Sequence, residues 1–315
     1  MKKWSLFTLV LAMIFALAAC GSQEKSQTEK ASASKETEEK MTIKHQYGEA
    51  EVKKNPEKVV VFDFGILDTL DELGIEVTGV PQTAIPSYLK KYADKKYTNV
   101  GSLKEPDFEA IHAMQPDVIF ISTRQAELYD QFAEIAPTVY IGLDYENYME
   151  SFEENMKLIG EIFGQEDKVA SELKDINASV EELNKKASAL DKKGLIVLAN
   201  EGKVSAYGPS SRFGLIHDVF GFGAADKKIE VSTHGQSITF EYMMEKNPDV
   251  LFVIDRATAV GGEIGAKEIV ENELVKKTTA YKTNKIIYLD ADTWYLSGGG
   301  LKSVKGMAKE IEAAL

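Results

Sequence analysis

One cysteine, four histidines and two tryptophans are all that 315 residues hold of those three types. With Cys20 alone, no internal disulfide and no cysteine-based zinc site can form. Four histidines are too few for the imidazole and carboxylate cluster that direct capture of zinc or manganese needs. Of these, His45 lies near a polar N-terminal stretch, His112 and His217 fall in helix-like segments, and His234 is the one well placed for a site. Positive charge is also short. The 37 Lys and Arg residues face 50 Asp and Glu, a formal charge of −13, which argues against a nucleic-acid partner. The catalytic and nucleotide signatures G-x-x-x-x-G-K-S/T, G-x-S-x-G and H-E-x-x-H do not occur, and Gly221-Phe222-Gly223 is not followed by the third glycine of a dinucleotide loop. After residue 20 no apolar run is long enough to span a bilayer.

What the chain does have is a repeat. EAIHAMQPDVIFISTR (Glu109 to Arg124) is answered 132 residues later, without a gap, by EYMMEKNPDVLFVIDR (Glu241 to Arg256). Each copy reads as a short amphipathic helix, a Pro-Asp turn, a buried strand and an arginine where the strand ends. One fold unit has been used twice. Ligands of open α/β sheets bind beyond the carboxyl ends of parallel strands, so Arg124 and Arg256 stand where two lobes could close on a shared ligand. Two guanidinium groups imply that the ligand is anionic.

The organisation follows from composition and period. Lys2 and Lys3 precede an apolar run that ends Leu17-Ala18-Ala19-Cys20, which resembles a bacterial lipoprotein signal peptide and its lipobox. That resemblance implies removal of residues 1–19, a formal charge of −15 once the two lysines are lost, and lipidation of Cys20. Residues 20–40 lack large apolar side chains and read as a flexible tether. Residues 41–164 alternate strand-like runs (VVVF, VIFIS, TVYIG) with helix-like ones, the rhythm of a mainly parallel sheet. The pattern restarts in residues 193–315 with LIVLAN, VSAYG, a helix-like RFGLIHDVFG, VLFVID, IIYLD and a helix from about Leu301. Between the lobes, in residues 165–192, Val169, Leu173, Ile176, Val180, Leu183, Ala187 and Leu190 are spaced alternately by four and three. This predicts one amphipathic helix of roughly 37 Å across both lobes, although the same stripe would also suit a coiled-coil seam.

Two Rossmann-like α/β lobes joined by one long helix, with a lipobox and paired Glu-x6-Pro-Asp segments, resemble the class III substrate-binding proteins of ABC importers. Within that group GSLKEPDFE, GPSSRFGLIHDVFG, STHGQSITFEY, Asp255-Arg256 and DTWYLSGGGLKS resemble the iron-siderophore lipoproteins, above all those that take petrobactin and related catecholates. The resemblance implies that Arg124, Arg212 and Arg256 cradle an anionic ferric siderophore, carried as cargo and not as a resident cofactor. It also implies that His234 and Tyr295 can reach iron where the chelator leaves sites open; a hydrogen-bonded loop histidine and a packed tyrosine are the plainer alternative. Trp294 is expected to offer an aromatic wall. Glu109 and Glu241, at matching points of the repeat, would dock on the two subunits of an ABC permease served by a cytoplasmic ATPase, with Glu105 as a competitor for the first role. Either glutamate alone is also explained by the helix dipole.

The expected function is therefore capture of a ferric catecholate siderophore outside the cytoplasm of a Gram-positive-type cell, by a lipid-anchored receptor that is not an enzyme. Haem or another anionic metal chelate is the alternative cargo. From another class, an extracytoplasmic hydrolase would need a nucleophile and base, and none stand at a recognisable spacing. Leu296-Ser297-Gly298-Gly299-Gly300 looks like the signature loop of ABC ATPases, but without a phosphate-binding loop it cannot serve a nucleotide.

Overall fold

A computed structural model describes residues 39–315, which belong to one compact unit. The signal-like segment, Cys20 and most of the expected tether lie outside the described residues. A hairpin of β1 (Lys40–His45) and β2 (Gly48–Lys53) opens the fold and buries Ile43, Ala50 and Val52. The first sheet contains β3 (Val59–Val61), β4 (Gly79–Val80), β5 (Thr98–Asn99), β6 (Val118–Ile121) and β7 (Thr138–Tyr140) in the order β5-β4-β3-β6-β7, every pair parallel. Its helices are α1 (Phe64–Leu73), α2 (Phe108–Met114) and α3 (Tyr129–Ala133). The chain then runs through α4 (Tyr148–Phe163) and α5 (Glu166–Ala189).

The second sheet is mixed. It holds β8 (Lys193–Asn200), β9 (Lys203–Tyr207), β10 (Gly223–Ala224), β11 (Gln236–Ile238), β12 (Val250–Asp255) and β13 (Ile286–Leu289). The order is β11-β9-β8-β12-β13, with β10 also on β8; β8, β10, β12 and β13 are parallel, whereas β9 pairs antiparallel with β8 on one side and with the edge strand β11 on the other. Helices α6 (Leu215–Asp218), α7 (Phe240–Lys246), α8 (Arg256–Val260), α9 (Ala266–Val270), α10 (Thr279–Lys282) and α11 (Leu301–Ala314) complete the chain.

Side-chain alternation builds the core. In β6, Val118 and Phe120 point into one apolar cluster while Ile119 and Ile121 point into another, and in β8 Ile196 and Leu198 separate likewise from Leu195 and Val197. Strands covered on both faces read as unbroken apolar runs for this reason. The largest cluster includes side chains of both sheets, of α5 and of α11, so the two lobes share one core. Smaller clusters cover the far side of each sheet.

The long helix is continuous, and Val169, Leu173, Ile176, Val180, Leu183 and Ala187 are buried along one side. Helices α4 and α11 pack on α5 within the chain, so the stripe is not left for a coiled-coil partner. Leu190, taken as its last member, lies just past the helix and is 41% exposed. The helix-like run RFGLIHDVFG shrinks to the four residues of α6, because the chain before it is a turn with Ser210 in the left-handed region (φ 60).

The repeat folds as two copies of one unit. Asp107 caps α2 by accepting from Ala110 N, and Thr239 caps α7 by accepting from Tyr242 N. Both helices then end on a left-handed residue before proline, Gln115 (φ 49) and Asn247 (φ 42). That stop turns the chain into an interior strand of each sheet, β6 and β12.

Candidate functional site

In the first sheet the strand order reverses direction between β3 and β6, and the crevice beyond their carboxyl ends is the natural binding place. Asp63 follows β3; its Oδ1 caps α1 through Gly65 N (2.8 Å) and Ile66 N (3.0 Å), and its Oδ2 accepts from Ser122 Oγ at 2.6 Å. Ser122 ends β6 and exchanges capping bonds with Gln125, itself buried and donating to Leu103 O. These bonds fix the short 3-10 helix, Thr123–Leu128, from which Arg124 projects. Across the cleft, Arg256 begins α8 directly after β12, behind an Asp255 cap on Thr258 N. Arg212 comes from the Ser210-Ser211 turn, which is tied by Ser210 N to Asp218 Oδ2 (2.6 Å) and by Ser211 Oγ to Gly208 O (2.5 Å).

The three arginines meet at one residue. Arg124 Nη2 donates to the backbone oxygen of Tyr295 at 2.7 Å, Arg212 Nη2 donates to the same oxygen at 2.5 Å, and Arg256 Nε donates to the Tyr295 hydroxyl at 2.9 Å. Their guanidinium carbons lie 5.9, 4.6 and 5.9 Å from the centre of the Tyr295 ring. Arg256 is held from behind by Asn200 Oδ1. Tyr295 belongs to a π-helical turn, Asp292–Ser297, a widened backbone that recurs at functional sites.

The electrostatics match a place kept for an anion. Burial lowers the pKa of the Arg124 guanidinium, and the like charge of Arg212 lowers it further. Burial alone would raise the Tyr295 phenol, but the hydrogen bond from Arg256 and the charges of Arg212, Arg256 and Arg124 outweigh it and bring it below the ordinary value. Among the described residues no arginine is in an ion pair; the ion pairs are formed by lysines.

The cleft measures about 520 Å³, and its lining includes Arg124, Arg212, His234, Trp294 and Tyr295. Arg256 stands behind Tyr295 and does not form part of that lining. His234 is exposed on the β9–β11 side, in the loop Val231–His234 at the mouth. Trp294 is not the open wall expected of it: it is 2% exposed, donates from Nε1 to Glu310 Oε2 at 2.7 Å and meets the edge of Phe220, so it underlies the cleft. Glu109 and Glu241 are exposed in the first turns of α2 and α7, with no ion pair among the described residues. Glu105 is exposed too.

Lys104, Asp63 and Tyr145 also line the cleft and were not foreseen. A signal for the basin was nevertheless present: Arg124, Arg212 and Arg256 are the only arginines in the chain, against 34 lysines. A sequence that otherwise uses lysine for surface charge has reserved its planar, multidentate cation for one place. No group of three or more His, Cys, Asp or Glu side chains able to hold a metal occurs among the described residues, and no described helix is long and apolar enough to cross a membrane.

A two-lobed α/β fold with a cleft at the strand ends defines a substrate-binding protein, and the chain belongs to the periplasmic binding protein family, whose sequence model matches residues 59–293. It is 51% identical to the petrobactin-binding protein YclQ of Bacillus subtilis over 100% of this chain and 99% of that protein. The crystal structure of YclQ superposes with a TM-score of 0.86, covering 88% of this chain and 98% of that one. The catecholate-siderophore binding protein VctP of Vibrio cholerae is 35% identical with a TM-score of 0.83, over 87% of this chain and 100% of its own. The ferric-anguibactin-binding protein FatB of Vibrio anguillarum is 30% identical over 86% of each chain.

Proposed function

We propose that this protein captures an anionic ferric siderophore of the catecholate type, petrobactin or a close relative, and delivers it to an ABC permease for iron uptake. The observation that carries the reading is the convergence of Arg124, Arg212 and Arg256 on Tyr295 at the cleft, in a chain 51% identical to a petrobactin-binding protein. A ferric catecholate presents several negative charges on planar rings, and a guanidinium can pair with its oxygens while stacking on a ring. Each arginine has five N–H donors, so the bonds of Arg124 and Arg212 to Tyr295 O leave others for ligand oxygens, while Arg256 adds its charge from behind the Tyr295 hydroxyl.

In the same reading His234 and Tyr295 offer an imidazole and a phenol to iron whose chelator leaves sites open. Trp294 carries the floor beneath them. Cys20, lipidated after signal removal, tethers the protein to the outer face of the membrane, and Glu109 and Glu241 dock on the paired permease subunits. The siderophore is cargo, and no cofactor stays bound.

Fluorescence quenching tests the cargo, since Trp294 sits next to Tyr295. Titration with ferric petrobactin, ferric enterobactin, ferric hydroxamates and haem should give tight quenching by the catecholates. Quenching by haem alone, or by none of them, overturns the assignment.

A further inference from the structure

The glycine run Gly298-Gly299-Gly300, which has no nucleotide to bind, is occupied by protein. Helix α11 starts behind Gly300, and a glycine has no side chain to satisfy the first N–H groups of a helix. Helix α1 of the first lobe supplies the acceptors. Leu301 N donates to Thr69 Oγ1 at 3.2 Å, Lys302 N to Asp68 Oδ1 at 3.1 Å and Ser303 N to Asp68 Oδ2 at 2.9 Å. A Cβ on Gly300 would collide with Asp68 Oδ1 and Gly65 O, so the glycine is what lets the carboxylate in. The Tyr88 hydroxyl stands 3.0 Å from Asp68 Oδ2 and 2.7 Å from Ser297 Oγ, the last residue of the turn that carries Tyr295.

Asp68 is fully buried. Burial pushes its carboxyl up to about 7, against the Ser303 hydroxyl, Lys302 N, Ser303 N and Tyr88 hydroxyl at the N-terminus of α11 and beside it, which favour the charged form. The other charged and titratable groups around it are already engaged or neutral. On α1, Asp71 holds Lys302 and Lys91; on α11, the Lys302 ammonium reaches Asp71 and Glu72; from the 87–93 segment comes Tyr88, from α4 Tyr148, and from the turn Asp292, which accepts from Ser87 N. Both tyrosines have phenols raised by burial and stay protonated at neutral pH.

We propose that Asp68 is a positioning residue: through the α11 N-terminus and the Tyr88–Ser297 link it fixes the turn that holds Tyr295 against Arg124 and Arg212, and its protonation loosens that turn and weakens siderophore capture. A neutral carboxyl must spend one oxygen as a donor, to Tyr88, which then turns its own proton to Ser297 Oγ. Lys302 N and Ser303 N are left with a weaker acceptor. The capture half of this inference rests on the function proposed above; the movement of the turn does not.

Trp294 reports the turn without any ligand and is the only tryptophan once Trp4 is absent. In protein lacking Trp4, through processing or Trp4→Phe, Trp294 fluorescence should show a step between about pH 6 and 8, and affinity for ferric petrobactin should fall by about three- to tenfold toward the acid side, the scale of one lost helix cap. Asp68→Asn should remove the step and hold the low-pH affinity throughout. Tyr88→Phe alters a side chain 36% exposed, so the fold should survive it; by taking a donor from the carboxylate it should move the midpoint upward. Glu310→Gln, which neutralises the other carboxyl facing Trp294, should leave the step in place. A step with the wild-type midpoint in both Asp68→Asn and Tyr88→Phe, or a step lost in Glu310→Gln alone, overturns the inference and leaves the receptor reading standing. Failure of the wild type to bind any ferric siderophore at about pH 8 overturns the receptor reading and the capture half of this one.

Discussion

Arg124 and Tyr295 are 171 positions apart in the chain, yet Arg124 Nη2 donates to the Tyr295 backbone oxygen at 2.7 Å, joining the first lobe to the turn ahead of α11. Arg212 donates to the same oxygen, so two like charges are brought together before any ligand arrives. Such an arrangement favours binding at the expense of the empty protein. Replacing Arg124, Arg212 or Arg256 by alanine should weaken ferric siderophore binding by roughly 1 to 3 kcal/mol each. Arg212→Ala should at the same time leave the thermal midpoint unchanged or raise it, because Arg124 loses a repulsive neighbour. Fluorescence titration and calorimetry of the same three variants check both halves, and unchanged affinity in all three would falsify the basin.

Tyr295 gives a prediction in pH. Its phenol is held below the ordinary value of 10.0 in the folded protein, with the Arg256 bond and three guanidinium charges outweighing burial. The unfolded chain therefore binds more protons in the window just below 10, so this group adds stability as pH rises through that window and adds none at neutral pH. A spectrophotometric titration of the ligand-free protein should show one phenol ionising ahead of the exposed ones. Tyr295→Phe should remove it, and a bound anionic chelate should delay it. An early phenol that persists in Tyr295→Phe assigns it elsewhere.

Glu109 and Glu241 should separate transport from capture. Both are exposed and stand in the first turns of helices capped alike by Asp107 and Thr239. Charge reversal of either to lysine should leave siderophore affinity within twofold and reduce uptake by cells that depend on this receptor, with the double variant worse than each single one. The dipole term at stake is only about 0.3 to 1 kcal/mol per site, so folding should survive. Full uptake by the double variant would move docking to another surface, Glu105 first.

Much of this was legible in the sequence where the chemistry is local or repeated. The gapless repeat announced α2-β6 and α7-β12 together with their arginines, and the spacing of Val169 to Ala187 announced α5. Long-range packing was not legible. Nothing near Trp294 reveals that Glu310 draws its indole beneath the cleft, and nothing near Gly300 reveals that its helix is capped by Asp68 from another element. The loop at Lys104 carries no periodic signal that would bring its lysine to the cleft. Leu190 was misjudged because the stripe does not show where its helix ends.

Gly300 should be among the least replaceable residues of the chain. Its φ of −109° suits any residue, so the constraint is space: a methyl group there meets Asp68 Oδ1 and Gly65 O at once. Neither is the end of a flexible side chain free to move, since Asp68 is tied to α11 and Gly65 O accepts from Thr69 Oγ1. Gly300→Ala should cost on the order of 2 to 4 kcal/mol, as for overpacking combined with a disturbed buried carboxylate, measured by urea denaturation. The change Gly202→Ala, where nothing lies within 4 Å but φ is +78°, should cost only about 1 kcal/mol of backbone strain. Equal costs at the two sites would mean that the collision at Gly300 is relieved elsewhere.

Closure on the ligand should be small. A hinge would have to act between lobes that share one apolar cluster, are spanned by the unbroken α5 and are pinned by Lys302 N and Ser303 N on Asp68. A large rotation would expose part of that cluster at roughly 25 cal/mol per Å², so a few hundred Å² would cancel the gain from several ligand contacts. Adjustment should therefore be confined to Tyr295, the arginines and the loop Val231–His234, where His234 is exposed and the fold has little to lose. Crystal structures with and without ferric siderophore, or X-ray scattering across a titration, decide the matter: a rigid-body rotation that separates Asp68 from α11 would show that the shared core yields, and the long helix would then have to be read as a spring instead of a strut.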